Sequence, residues 1–181
     1  MIFVDIAKGD QHLLGAILGQ RVYREIVKPA AEKAFVVILS VRGARFANSS
    51  FLKATWLEVR EAFADTAALF AHMDEEVREE FEVFLNSEGR SGLEALDWSD
   101  SDVLLARLWG KVEPSSLSAL RALTQRPGST APELHKAFDD GVSTTAWTNR
   151  LNELHRNGLA FRERSGRAWR FYPVAREVVH G

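Results

Sequence analysis

Thr144, Thr145, Thr148 and Asn149 crowd one short stretch of this chain, and Arg150, Arg156, Arg162, Arg164 and Arg167 follow closely. Short hydroxyl and amide side chains reach base edges with little loss of rotamer entropy, and guanidinium groups pair with phosphates. The chemistry expected here is recognition of double-stranded DNA. Thr144, Thr145, Thr148 and Asn149 are the expected base contacts, and the arginines are the expected phosphate or minor-groove contacts. Ser143 stands where a helix N-cap is needed. Arg170 alternates with apolar residues and is expected on the wet side of a strand.

Positioning such groups requires a helix and a hairpin, and the sequence supplies both signals. Trp147, Leu151, Leu154 and Leu159 line one helical face and its exit, with Trp147 expected as a core anchor. Asn157 and Gly158 then end the helix. Leu159, Phe161, Trp169, Phe171 and Tyr172 alternate as in a half-buried hairpin, and Ser165-Gly166 suits a tight turn ringed by arginines. Upstream, Ser115–Thr124 reads as a helix. Pro127-Gly128-Ser129-Thr130 breaks it, and Thr130 caps a second short helix with Pro132 in its first turn. Gly141 ends the next turn. The order helix, turn, helix, turn, recognition helix, hairpin is that of a winged helix-turn-helix over residues 113–181.

Charge is distributed to match. Residues 1–112 carry 13 Lys/Arg and 18 Asp/Glu, whereas residues 113–181 carry 10 Lys/Arg and 7 Asp/Glu. Within 143–170 there are 6 Arg against 2 Glu, so the basic face belongs to the C-terminal part. At 181 residues, 46% hydrophobic and 27% charged, the chain can bury a core. It has no cysteine, which removes disulfides, thiolate metal sites and cysteine nucleophiles. No apolar run approaches the roughly 18 residues of a membrane span, and no basic region precedes an apolar stretch at the N-terminus. A cytoplasmic protein with no membrane association is expected.

Residues 1–112 read as an α/β domain with a mixed, mostly parallel sheet. Ile2–Ile6 is an expected strand. His12–Val27 is an expected helix with Leu13, Leu14, Ile17, Leu18, Val22 and Ile26 inward and Pro29 just past its end. The continuous apolar run Phe35–Val41 predicts a strand covered on both faces. A helix then starts at Ser49 or Ser50, and Ala67–Met73 gives the next strand. Asp74 caps an acidic helix with Val77, Phe81, Phe84 and Leu85 buried, and strands follow at Leu93–Trp98 and Val103–Leu108. Gly110-Lys111-Val112-Glu113-Pro114 is the expected boundary with the C-terminal module.

Other chemistry has weaker support. Lys8-Gly9-Asp10 and Val41-Arg42-Gly43 lack the further glycines of a phosphate loop. His12, His72, His135, His155 and His180 show no ligand spacing, and no metal or cofactor is expected. A triad of Ser49, His72 and Asp74 has no sequence feature that would assemble it. The chain is not read as an enzyme.

The order of strands and helices, with the run VVILSVRGARFANSSFLKATW, resembles the STAS superfamily, which includes the bacterial anti-sigma-factor antagonists. Within it, the run more closely resembles an uncharacterised STAS-like family whose loop reads Ser-Ser-Phe and whose members can carry a C-terminal winged helix. The family signature Asp-Ser-Ser-Gly is matched here by Asn48-Ser49-Ser50-Phe51. The resemblance implies that Ser49, with Ser50 beside it, is a phosphorylation or partner switch acted on by a GHKL-type kinase or ATPase. Asn48 replaces the family aspartate, and Phe51 replaces the glycine and would fill the corner where a partner docks. Without modification, Ser49 or Ser50 is simply an N-cap.

Two functions follow. In the first, the protein is a transcriptional regulator whose winged helix reads DNA while the STAS-like domain senses, dimerises or recruits. A homodimer would double the DNA contacts. In the second, it is a signalling adaptor that binds a GHKL-type ATPase or another protein partner.

Overall fold

The unbroken apolar run before Ser40 demands cover on both sides, and the fold supplies it. The computed structural model describes residues 1–138 and 141–180. Its N-terminal half runs β1 (Ile2–Asp5), β2 (His12–Leu13), α1 (Ala16–Val22), α2 (Lys28–Ala31), β3 (Val36–Ser40), β4 (Phe46–Ala47), α3 (Ser49–Leu52), α4 (Glu58–Ala62), β5 (Ala67–Ala71), α5 (Glu75–Ser87), β6 (Ser91–Trp98) and β7 (Val103–Gly110). Then come α6 (Pro114–Gln125), α7 (Ala131–Phe138), α8 (Thr144–Arg156), β8 (Ala160–Ser165), β9 (Ala168–Pro173) and β10 (Ala175–His180).

The main sheet has the order β1-β3-β5-β6-β7-β10, and only the β6–β7 pair is antiparallel. The protein is therefore α/β with a mostly parallel sheet, as expected. Successive strands step across the sheet in one direction. Right-handed crossovers then place the helices between β1 and β6 on one face, and because β7 runs against β6 the crossover from β7 to β10 places α6, α7 and α8 on the other. On the first face Val37, Leu39 and Phe70 pack with Val22, Phe51, Trp56, Phe81 and Phe84. On the other face Ile38, Leu69, Leu93 and Ala95 pack with Leu120, Leu123, Trp147, Leu154 and Phe171. The result is three layers, the third made by the C-terminal elements. Among the described residues no helix is long and apolar enough to cross a membrane.

Several local expectations change. His12–Leu13 is not helical: it pairs with Phe46–Ala47, and the helix begins only at Ala16. Leu14 and Ile17 consequently face solvent, Ile17 at 87% exposure, instead of the core. Pro29 lies inside the helical segment, not past its end. Tyr23–Val27 widens into a π-helical turn just before it, the kind of adjustment that lets a helix run through a residue with no N–H to donate. Asn48, not Ser49 or Ser50, caps α3, and its carboxamide oxygen accepts from both the Phe51 and Gly15 amides at 3.0 Å. Phe51 is fully buried and does not occupy a corner groove.

Packing crosses the 112/113 boundary. Pro114 does start α6, but Ala175–His180 returns to pair in parallel with β7. The second core joins the sheet to α6, α7, α8 and the β8–β9 hairpin. The tip of the β6–β7 hairpin, irregular between Ala95 and Trp98, curls over this face until Trp98 stacks on Phe3, with ring centroids 5.8 Å apart.

Candidate nucleic-acid interface

The site begins with the cap of α8. Ser143 Oγ accepts from the Ala146 amide at 3.2 Å, which starts the helix one residue later. Trp147, Leu151, Leu154 and His155 then face the core. The opposite stripe is Thr145, Thr148, Asn149 and Arg156, all exposed, with the half-buried Asn152 among them. Thr145, Thr148 and Asn149 are thus on one outward face, as expected, while Thr144 is only half-exposed. Thr148 donates its hydroxyl proton to the Thr144 carbonyl at 2.9 Å, so in this rotamer it can only accept from a ligand.

The hairpin sits beside that stripe. Ser165 pairs with Ala168, so the two-residue turn is Gly166-Arg167, one residue later than expected. Gly166 takes φ 63°, which an L residue adopts poorly, and Arg167 is exposed at the tip. Arg162, Arg164 and Trp169 share one face of the hairpin. The Arg162 guanidinium lies 4.4 Å and that of Arg164 5.9 Å from the Trp169 ring centroid. Arg162 also donates to Asn152 Oδ1 at 3.2 Å, which ties hairpin to helix. Its Nε is 4.0 Å from Asp65. Arg162 therefore positions the hairpin while Arg164 and Arg167 remain outward. Arg150 is half-buried, with its guanidinium 5.8 Å from the Trp147 ring centroid.

Arg170 is not merely wet. It donates to the Gly128 carbonyl and pairs with Glu133 at 3.3 Å, clipping β9 to α7. Glu133 in turn accepts from the Thr130 amide at 2.8 Å and donates its own amide to Thr130 Oγ1, so the expected cap is a reciprocal capping box. Those bonds hold the Glu133 carboxyl below its ordinary pKa.

Two positioning residues escape a sequence reading. Arg60, on α4, is buried and donates to the carbonyls of Thr66, His155 and Arg156, the last two at 3.0 and 2.7 Å. It thereby satisfies the orphan carbonyls at the end of α8 from the far half of the chain. Burial, reinforced by Arg90, lowers its pKa to about 10. His155 donates Nδ1–H to the Ala160 carbonyl at 3.2 Å, while Nε2 lies 3.2 Å from Asp65. Both ring nitrogens face oxygen, which favours a charged ring, but burial prevails and lowers the pKa, with the guanidiniums of Arg162 and Arg60 acting in the same sense.

A second polar cluster lies at the carboxyl ends of β3 and β5. Arg42 donates to His72 Nε2 at 2.8 Å, so the neutral ring carries its proton on Nδ1 and donates it to Ser40 Oγ at 2.9 Å. A base poised to deprotonate Ser40 would need the opposite arrangement, and Ser40 is buried. Ser49 and Asp74 are elsewhere: Ser49 opens α3, and Asp74 accepts from the Val77 amide as the cap of α5. The imagined triad does not form.

Comparison with known proteins found no match: no family model, no curated protein and no solved structure is significantly similar to this chain.

Proposed function

We propose that the protein is a regulator that binds double-stranded DNA, with α8 as the recognition helix and the β8–β9 hairpin as the wing of a winged helix-turn-helix. The observation that carries this reading is the continuity of the outward stripe of α8 with the arginine face of the hairpin, joined by the Asn152–Arg162 bond. Thr145, Thr148 and Asn149 face base edges, and Arg150, Arg156, Arg164 and Arg167 face phosphates. Ser143 keeps its hydroxyl proton for a phosphate while its oxygen caps the helix. The α/β layer senses, dimerises or recruits.

The test is fluorescence anisotropy with a mixed duplex pool. Four phosphate contacts predict that affinity falls by roughly a hundredfold between about 50 and 200 mM salt. Arg164→Ala with Arg167→Ala should remove most of the binding without unfolding the chain. Absence of binding at the lower salt would transfer the function to protein contact, as in a signalling adaptor.

A further inference from the structure

The hairpin has a second face, and it opens onto a groove. Residues alternate along β8, so Phe161 and Glu163 point away from the Arg162–Arg164 side. They line a cavity of about 630 Å³ between the start of β3, the curled tip of the β6–β7 hairpin and the back of β8–β9. That volume is in the usual range for small-molecule sites, roughly 300–1,000 Å³.

One wall is a ladder of aromatic rings. Tyr172 stacks on Phe161 with centroids 5.1 Å apart and planes 9° from parallel, and Phe161 stacks on Phe35 at 6.3 Å and 19°. The inner end is closed, because Tyr172 packs on Gly128, where a Cβ would meet its ring at 2.9 Å. The outer end is open: Phe35 is 57% exposed, an unusual position for a phenylalanine. The rim carries Glu163, Asp102, Arg176 and Met1; Asp102 and Arg176 pair with each other at 2.7 Å, which leaves Glu163 as the lining carboxylate outside that ion pair. Arg170, opposite Glu163 across the hairpin, is committed to Glu133 and the Gly128 carbonyl.

We propose that this groove binds a planar aromatic amine, whose ring extends the ladder on Phe35 and whose ammonium or N–H groups face Glu163. Ring stacking and cation–π attraction act on the same flat, positively charged molecule, and the carboxylate selects its sign. The inference rests on the groove alone and does not require that α8 bind DNA.

Saturation-transfer NMR on the full chain tests it, with tryptamine and, separately, indole-3-acetate, which has a similar ring system and the opposite charge. Tryptamine should bind more tightly than indole-3-acetate. Phe35→Ala, with unchanged circular dichroism, should weaken tryptamine about three- to tenfold. Glu163→Gln should narrow the difference between the two probes. Equal transfer in Phe35→Ala and the parent would overturn the site. So would equal binding of the two probes, no transfer from either, or self-association through the groove, seen as a dilution-dependent mass that Phe35→Ala abolishes.

Discussion

His72 stands in a left-handed conformation, φ 58°, with both ring nitrogens engaged. Burial first, and Arg42 second, lower its pKa, with Asp5 opposing. A histidine whose folded pKa is depressed costs nothing above its unfolded value of about 6.5. Below it the unfolded chain binds the proton more readily, so stability falls as pH drops through that value. Protonation also ends the Arg42 bond, because Nε2 can no longer accept. Urea midpoints at about pH 7.5 and 5.5 should therefore differ. His72→Asn, which tolerates the same backbone, should shrink the difference. Glu94 carries a larger share of stability. It is buried on β6 and accepts from Arg78 at 2.9 Å, Trp109 at 3.1 Å and Arg107 at 3.3 Å. Glu94→Gln leaves guanidinium groups without their carboxylate and should cost about 2–4 kcal/mol in chemical denaturation. An isolated glutamate in an apolar strand gives no sign of this in sequence, since its three partners lie on α5 and β7.

The caps and clamps of the helices are where sequence and structure diverge most. Asp74, Ser143 and Thr130 cap as their positions suggest, because each bond spans only three residues. Asn48 displaces the neighbouring serines because its longer side chain also reaches Gly15, 33 positions away. Asn48→Ala should lose about 1–2 kcal/mol, and Asn48→Ser should recover only part of it. Arg60 acts on α8 from 95 residues upstream. Arg60→Met would leave the Thr66 and Arg156 carbonyls without their donor, while the His155 carbonyl keeps the Gly158 amide, and should lower stability by about 2–4 kcal/mol. If α8 reads DNA, the same change should weaken duplex binding in anisotropy, because the end of the recognition helix loses its anchor.

At the scale of the whole molecule, both halves share a core. The segment expected as the boundary, Gly110–Pro114, connects β7 to α6, and β10 carries the chain end back to the sheet. Leu120, Trp147 and Leu154 cover the strand face formed by Ile38, Leu69 and Leu93. Unfolding should consequently be one cooperative transition, with coincident circular dichroism and tryptophan fluorescence curves. Truncation after Pro173 should lower the midpoint and destabilise the N-terminal half as well. Two resolved transitions would contradict the shared core.

The sequence by itself determined the α/β class, the fully buried β3, the acidic helix with Phe81 and Phe84 inward, and the capped helix α8 followed by its hairpin. Each is written in local periodicity and in turn chemistry, which act over a few residues. Only the tertiary structure decided that Arg60 clamps α8, that Asn152 holds Arg162, that His72 donates to Ser40, and that β10 completes the sheet. Those contacts join residues far apart in the chain, and their partners are chosen by how the layers pack, which no spacing along one segment encodes.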